Sequence, residues 1–435
     1  MFTSTNKPLS HLPAASIGMP NGGQREAEKS RGASETPRPL TDIVLELIWR
    51  ERRISRADIA RRTHLARSTV SEIVRELLAT ELISEVGTDR SSGGRRPVML
   101  EFQDDAFGIL GVDIGATHVS VTLTNLRGRV LAWREQSRHV RTDPEYSRAL
   151  VSQLCDECVA EWGRGRRRLL GVGVAVPSPV DPRHPDRVSE VVLPAWRGQV
   201  GLEDLHLRYG VPVLIDNDAN LGALGEGWWG AGRNLRDFTY IKVATGIGAG
   251  IILDGEIYRG STGVAGEIGH LAIDPNGKPC VCGLRGCLAT FIGTRALLER
   301  AQELRSAHPG TVLPEEDLSI FALEDAALTG DTLAVQVVRE AAEHLGIAIA
   351  GLLNLVNPAM VILGGSLTRG GNLLLDPLRE VVRNRTLVTS VAATEIRIGE
   401  LGPRAVALGA ATLVLNAAFA DPTLFPRPRK NSVPV

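Results

Sequence analysis

Residues 266–287 read GEIGHLAIDPNGKPCVCGLRGC and contain three of the five cysteines of the 435-residue chain. Cys280, Cys282 and Cys287 fall within eight residues, and His270 lies ten positions before the first of them. The glycines and the proline between them allow the tight turns that would bring the sulfurs together. Three thiolates and one imidazole form a closed tetrahedral set, which is typical of structural zinc and leaves no position for a catalytic water. The stretch therefore predicts a structural Zn²⁺ site.

A disulfide with one spare thiol, or a chance cluster in a loop, would also account for these cysteines. The metal is favoured because the number of cysteines is odd and the chain does not open with the basic and apolar segments of a secretory signal. Dense Cys/His spacing in a reducing compartment indicates a metal. We therefore expect a cytoplasmic protein with bound zinc. Cys155 and Cys158 share one face of a predicted helix and are expected to pack in a core.

Length and composition predict several folded domains with flexible ends. A chain of 435 residues is too long for one ordinary core, and its net charge of −1 indicates no particular partner. The longest apolar region, residues 345–363, is interrupted by Asn354, Asn357 and Pro358, which favours a buried helix followed by a strand over a membrane span. The segments 1–37 and 421–435 lack apolar periodicity and are expected to be disordered tails.

Residues 38–103 carry the pattern of a winged helix-turn-helix DNA-binding domain. A capping-box-like start at Ser55 opens one short helix, and a second helix has an apolar side and a polar outer face. Residues 82–102 then read as a two-stranded wing with an arginine-rich tip. The excess of basic residues is small, so a helical protein-interaction domain is the alternative; His64 also stands in the turn where glycine is common. The candidate DNA contacts are Arg67, Ser68, Thr69 and Ser71 on the second helix, and Arg95 and Arg96 on the wing.

The chain after residue 104 has an α/β pattern with glycine-rich turns. FGILGVDIGAT at 107–117 is a strand that ends in a turn able to cradle a phosphate. ATGIGAGI at 244–251 is a second such turn between strands. VPVLIDNDAN at 211–220 delivers polar side chains to the end of a buried strand, where an aspartate can act as general base toward a sugar hydroxyl. Each half of this region begins with a strand, a glycine-rich turn and a second strand. This repetition predicts a duplicated α/β architecture with a ligand in the cleft between the halves.

Five ordered motifs resemble the ROK family of sugar kinases and repressors: DIGAT at 113–117, NDAN at 217–220, TGIGAG at 245–250, GEIGH at 266–270 and CVCGLRGC at 280–287. The helix-turn-helix with GGRRP at its wing tip resembles the repressor branch, which includes xylose and N-acetylglucosamine repressors. The resemblance implies an α/β chain in which the winged helix-turn-helix precedes a two-lobed actin-like/hexokinase-type ATPase (ribonuclease H-like) fold. The implied boundaries are 104–228 for the first lobe, 229–403 for the second lobe with the zinc motif, and 404–420 for a C-terminal helix on the first lobe.

The resemblance also implies roles for individual residues. The structural zinc would be held by His270, Cys280, Cys282 and Cys287. The sugar would be bound by Asn217, Asp218, Glu267 and His270, with Trp196 as a further neighbour. The nucleotide loops would contain Asp113, Gly115, Thr117, Thr245, Gly246 and Gly248.

Departures from the kinase pattern favour a sensor over an enzyme. Family kinases read DIGGTK in the first loop, where this chain reads DIGATH, and Ala244 and Ala249 replace favoured glycines in the second. A methyl group there obstructs the approach of backbone to phosphate, so Asp218 is interpreted as a vestigial base. Ala289 stands where the family usually has a sugar-binding glutamate, so the sugar is not identified.

We expect a sugar-responsive DNA-binding transcriptional regulator, a repressor of carbohydrate uptake or catabolism genes. Its partners would be double-stranded operator DNA, a small sugar and further copies of itself in a homodimer or homotetramer, without a membrane. The alternatives are an ATP-dependent sugar kinase with an accessory DNA-binding domain and a DNA-binding scaffold that binds no sugar.

Overall fold

The computed structural model describes residues 40–88, 97–163, 168–386 and 394–425. The predicted tail 1–37 and the wing-tip residues Arg95 and Arg96 lie outside these ranges. The structure confirms the predicted fold class, with an N-terminal winged helix-turn-helix followed by two α/β lobes. The longest apolar region forms the end of one helix and then a buried strand, as its interruptions predict.

The N-terminal head consists of three helices and a three-stranded sheet of order β1-β3-β2. Its elements are α1 (Leu40–Glu51), β1 (Arg53–Ser55), α2 (Arg56–Thr63), α3 (Arg67–Ala79), β2 (Ile83–Thr88) and β3 (Val98–Phe102). Ser55 caps α2, since its side-chain oxygen accepts a hydrogen bond from the Asp58 N–H at 3.2 Å. His64 ends α2 with a φ of +58°, the left-handed conformation for which glycine is usual.

The two lobes each contain a five-stranded sheet. The first lobe comprises β4 (Phe107–Ile114), β5 (His118–Thr124), β6 (Val130–Ser137), α4 (Pro144–Trp162), β7 (Arg168–Val176), α5 (Glu203–Tyr209), β8 (Val213–Asn217) and α6 (Asp218–Trp229). The second comprises β9 (Phe238–Val243), β10 (Ile247–Leu253), β11 (Glu256–Ile257), α7 (Ala289–Ile292), α8 (Thr294–Leu304), α9 (Ile320–Leu328), α10 (Thr332–Val356), β12 (Met360–Gly364), α11 (Asn372–Arg385) and β13 (Glu395–Ile398). A last helix, α12 (Ala405–Ala420), follows.

The lobes repeat one topology. The first sheet has the order β6-β5-β4-β7-β8 and the second β11-β10-β9-β12-β13. In both, the first three strands form an antiparallel meander and the last two add in parallel to the first strand. In both, the turn after the first strand is the glycine-rich loop identified in the sequence, so the two loops occupy equivalent positions. The duplicated α/β architecture was therefore predicted correctly.

The helices α6 and α12 pack against each other with their backbones in direct contact. A Cβ on Gly409 would lie 1.6 Å from the Leu221 carbonyl oxygen, and one on Gly225 would lie 2.4 Å from the Ala405 oxygen. Helix α12 also crosses β4 and β7 of the first lobe. The segment Gly402–Ala420 is long and apolar enough to span a membrane, but 67% of its apolar window is buried within the protein. It is therefore a core helix of the first lobe.

The head and the first lobe share one hydrophobic cluster. Trp49 of α1 lies with its ring centroid 5.6 Å from Trp228 and 5.5 Å from Phe419 of α12. Its indole N–H donates to the Leu126 carbonyl at 3.1 Å. The Arg127 guanidinium lies 4.5 Å from the Trp49 ring centroid and donates to the Trp49 carbonyl. The head is therefore packed on the lobe rather than tethered to it.

The structure corrects the expected start of the C-terminal tail. Residues 421–425 are ordered: Pro422–Leu424 form a turn of 3₁₀ helix, and Phe425 is only 2% exposed. The Phe425 ring packs 5.7 Å from that of Phe107 at the start of β4. The composition of this segment is that of a linker, but one aromatic side chain finds an apolar site on the lobe. Residues 426–435 lie outside the described residues.

Substitution of Gly409 by alanine tests the contact between α6 and α12. We expect Gly409→Ala to lower the free energy of unfolding by about 1–3 kcal/mol, because the added methyl group would overlap the Leu221 carbonyl. Gly351→Ala in α10 is the matched control, since no atom lies within 4 Å of its added Cβ, and it should raise stability by up to about 1 kcal/mol. Urea denaturation measures the free energy of unfolding of both variants. Equal changes in the two would contradict the close contact between α6 and α12.

Candidate functional site

The candidate site is a cavity of about 180 Å³ between the two lobes. Loops at the carboxyl ends of the strands of both sheets converge there. Eight of the predicted ligand and nucleotide residues line it: Thr117, Asn217, Asp218, Thr245, Gly246, Gly248, Glu267 and His270. A larger cavity of about 710 Å³ beside β8 has mainly apolar walls and contains none of the predicted residues. The smaller cavity, called the cleft below, is the site because the polar groups converge on it.

Asn217 and Asp218 reach the cleft because they stand at the start of α6. The Asn217 side-chain oxygen accepts hydrogen bonds from the Ala219 and Asn220 N–H groups at 2.9 and 3.2 Å and so caps the helix. Its amide nitrogen donates to the Ser178 carbonyl at 3.1 Å. Asn217 therefore has one amide N–H left for a ligand.

Lys242 of β9 pairs with the aspartate that the sequence analysis identified as a base. Its ammonium group lies 2.7 Å from Asp218 Oδ2, and both side chains are only 13% exposed. Burial opposes the charge on Lys242, but Asp218 and Asp113 outweigh it and raise the pKa of the ammonium group. A charged lysine thus covers one oxygen of the Asp218 carboxylate.

The first glycine-rich loop is occupied by a histidine. His118 Nε2 lies 3.1 Å from Asp113 Oδ2, and a Cβ on Gly115 would be 2.3 Å from the imidazole ring. Burial raises the pKa of Asp113, but Lys242 and His118 lower it more, so the pKa lies below the usual value. Burial of His118 is likewise outweighed by Asp113, and its pKa is raised. The imidazole takes the space beside Gly115, and neither Asp113 nor Gly115 lines the cleft.

Glu267 belongs to the wall of the cleft formed by the second lobe. Burial, together with the nearby charge of Asp218, raises the pKa of Glu267 to about 7. His270 follows it in a turn of 3₁₀ helix. Glu267 and His270 both line the cleft with Asp218.

His270 and the three cysteines form the metal-binding group predicted from their spacing. Their four ligand atoms all lie within 4.8 Å of one another. His270 Nδ1 is 3.5 Å from Cys280 Sγ, and the sulfurs of Cys282 and Cys287 are 3.6 Å apart. These separations fit the edges of a tetrahedron with metal–ligand bonds of about 2.0–2.3 Å and exclude a disulfide. The group could therefore hold a metal ion, and Nδ1 of His270 would be used for it, which leaves Nε2 for the cleft.

Trp196, predicted as a neighbour of the sugar, lies in the core of the first lobe rather than in the cleft. Its side chain is 2% exposed, and its indole N–H donates to the Val140 carbonyl at 2.9 Å in the core of the first lobe. It does not line the cleft. The expectation came from the family resemblance alone, and here the loop folds inward and buries the indole ring.

Lys242, Arg141 and His118 are basic residues of the cleft to which the sequence analysis assigned no binding role. Lys242 could have been noticed as the one charged residue within the apolar strand FTYIKV. Arg141 lies between β6 and α4 and carries no motif signal. Its position in the cleft results from the tertiary structure alone.

The predicted DNA-contacting residues of α3 stand on one accessible face. Arg67, Ser68 and Ser71 are exposed and Thr69 is partly exposed, while Val70 is buried in the head. Within the described ranges Arg67 forms no ion pair. The Ser71 hydroxyl donates to the Arg67 carbonyl at 2.8 Å, so it is partly used within the helix.

Comparison with known proteins gives matches over most of the chain. The ROK family model matches residues 109–417, and a winged helix-turn-helix DNA-binding model matches residues 41–84. The xylose repressor of Caldicellulosiruptor bescii is 33% identical over 388 residues, which cover 87% of this chain and 96% of that protein.

Two solved structures show which part of the chain each class of protein shares. A ROK family transcriptional regulator, a homolog of the E. coli MLC protein, is 27% identical with a TM-score of 0.75 and covers 88% of this chain and 97% of its own. A ROK family glucokinase from Streptomyces griseus, solved with glucose and AMPPNP, is 30% identical with a TM-score of 0.62. It covers 98% of its own chain but only 70% of this one.

A double-mutant cycle on Lys242 and Asp218 tests the ion pair in the cleft. We expect Lys242→Met to destabilise the protein by about 3–5 kcal/mol, because it leaves a buried carboxylate without its partner. Adding Asp218→Asn should recover part of this loss, with a coupling energy of about 1–3 kcal/mol in urea denaturation.

The exposed pair Arg339–Glu343 of α10 is the control, since its side chains are 64% and 48% exposed. Its coupling energy should be about 0.3–0.5 kcal/mol. Equal coupling in the two pairs would show that Lys242 and Asp218 do not interact as a buried pair.

Proposed function

Because the chain belongs to the ROK family, we propose that it is a sugar-responsive repressor, with operator DNA bound by the head and the sugar bound in the cleft. The observation that carries this proposal is the direct packing of a helix-turn-helix head on the lobe that supplies Asp218 to the cleft. The xylose repressor and the transcriptional regulator compared above match this chain over head and lobes together.

Operator binding is supported by the exposed face of α3. A recognition helix places its first residues against base edges in the major groove, and these positions here are Arg67, Ser68, Thr69 and Ser71. Arg95 and Arg96 of the wing would add contacts to the minor groove or the phosphates. A homodimer or homotetramer would present two such heads to the half-sites of a palindromic operator in the cytoplasm.

Sugar binding without phosphoryl transfer is supported by the side chains in the cleft. Asp218, Glu267 and His270 supply hydrogen-bonding groups for hydroxyls of a sugar. Lys242 is bonded to Asp218, and His118 occupies the space beside Gly115 in the first loop. A kinase needs a free base and open loops for the phosphates, and the glucokinase compared above matches only 70% of this chain although nearly all of its own is covered. The chain is therefore a regulator rather than a kinase.

Helix α6 offers a physical path from the sugar to the DNA. It begins at Asp218 in the cleft and ends at Trp229, a distance of about 18 Å for its 12 residues. Its last residues, Trp228 and Trp229, contact Trp49 of α1 in the head. A movement of Asp218 when sugar binds would be transmitted along this helix to the aromatic contacts that hold the head. Coupling of about 1–3 kcal/mol between the two sites is enough for a repressor.

Structural zinc is the metal that suits the Cys/His cluster, because three thiolates and an imidazole close a tetrahedral shell. The ion would hold the turn that carries His270 and Glu267 against the cleft. It would supply no catalysis, since no ligand position is open for water.

Operator binding tests the proposed function. The full-length protein is expected to select a palindromic duplex from random-sequence DNA, and Arg67→Ala should weaken that binding about tenfold or more. Arg339→Ala, which makes the same change of charge on the exposed face of α10, should leave operator binding unchanged.

The response to sugar is tested next. Neutral and acidic monosaccharides are titrated into the complex of protein and operator, and at least one should reduce the affinity for DNA by about fivefold or more. Failure to select any duplex, or no response to any sugar, would contradict the proposal.

Metal content tests the zinc site. We expect the purified protein to contain one zinc ion per chain by elemental analysis, and Cys282→Ser to lose it with a lower melting temperature and a weaker sugar response. Cys155→Ala removes a buried thiol from α4 and should keep the zinc. Zinc retained in full by Cys282→Ser would rule out this ligand set.

A further inference from the structure

Arg141 brings to the cleft a positive charge that forms no ion pair within the described residues. Its Nε and Nη2 groups donate to one acceptor, the Val192 carbonyl, at 3.1 and 2.8 Å. A guanidinium has five N–H donors, so three remain after these two contacts. The side chain is partly buried and lines the cleft with Val192. The residue is thus held in place while most of its hydrogen-bonding capacity is unused.

Two other basic groups of the cleft, Lys242 and His118, are already paired with acids. Lys242 is bonded to Asp218, and His118 to Asp113. Ala289 adds only a methyl group to the wall. Arg141 is therefore a cation of the cleft that has no acid paired with it.

The remaining carboxyl group of the wall, Glu267, lies on the opposite lobe. It belongs to the turn before His270, whereas Arg141 lies between β6 and α4 of the first lobe. A ligand that contacts both residues would present hydroxyls to Glu267 and an acidic group to Arg141. Such a molecule would bridge the two lobes.

We propose that the effector is an anionic sugar, a monosaccharide with one carboxylate or phosphate group, and that Arg141 binds this acidic group. The inference rests on the proposed sugar-sensing function and names the chemical class of the sugar. A guanidinium forms paired, charge-assisted hydrogen bonds with the planar carboxylate or with two phosphate oxygens. The partial enclosure of the cleft strengthens this contact relative to one in open water.

The test compares acidic sugars with their neutral parents on the full-length, zinc-loaded protein. D-glucuronate and D-glucose 6-phosphate are measured against D-glucose, D-galacturonate against D-galactose, and N-acetylglucosamine 6-phosphate against N-acetylglucosamine. Calorimetry gives the dissociation constant, and release of the selected operator duplex gives the response. We expect at least one acidic sugar to bind about tenfold or more tightly than its parent and to release DNA. If the uronates show this preference, the acidic group of the effector is a carboxylate. If the sugar phosphates show it, the acidic group is a phosphate ester.

Three variants assign the effect to Arg141. Arg141→Gln should remove the preference for the acidic sugar, and Arg141→Lys should retain part of it because the charge is kept. Arg148→Gln is the control, since Arg148 is also held by backbone carbonyls, those of Gln199 and Val200, but does not line the cleft. An unaltered preference in Arg141→Gln would overturn the proposal, and if that variant does not fold, an unaltered dissociation constant in Arg141→Lys would do the same.

The outcomes separate this inference from the function on which it rests. Operator release by neutral sugars with no advantage for acidic ones overturns the anionic effector and leaves the repressor function standing. Inorganic phosphate alone that binds as tightly as the sugar phosphates also overturns it, because the site would then recognise an anion without a sugar. No operator release by any sugar overturns both.

Discussion

The contact between α6 and α12 is the constraint on which the rest of the structure depends. Gly225 and Gly409 let the two backbones touch, so that α6 has one position relative to the first sheet. That position places Asp218 at the cleft and Trp228 under the head. A larger residue at either glycine would move both ends of α6 together. The same close packing that stabilises the lobe thus also sets the geometry of its two functional ends.

The electrostatics of the cleft follow from ion pairs between its acidic and basic side chains. Two acids of the first lobe at or beside the cleft each have a base beside them, Asp218 with Lys242 and Asp113 with His118. A paired carboxylate can still accept hydrogen bonds from a ligand through its second oxygen. The charge of Arg141 then gives the cleft a preference for sugars with an acidic group, which the carboxylates alone would repel.

Much of this could be predicted from the sequence, because the signals are local. The spacing of His270 and the cysteines, the helical periodicity of α3 and the glycine-rich turns after β4 and β9 each lie within about 20 consecutive residues. The surroundings of two aromatic side chains, one in the segment near the predicted sugar site and one in the predicted tail, could not be read from the sequence. Trp196 and Phe425 lie in segments with the composition of loops, and their surroundings come from elements far away in the chain.

The sequence by itself determined the α/β class and the winged helix-turn-helix, and it identified the candidate metal ligands and eight residues of the cleft, since motifs and periodicity need only neighbouring residues. Only the tertiary structure decided that Lys242 reaches Asp218, that His118 lies over Gly115, and that α6 joins the cleft to Trp49. The physical reason is that these contacts join residues brought together by strand order and helix packing. No pattern within either segment specifies the distance between them.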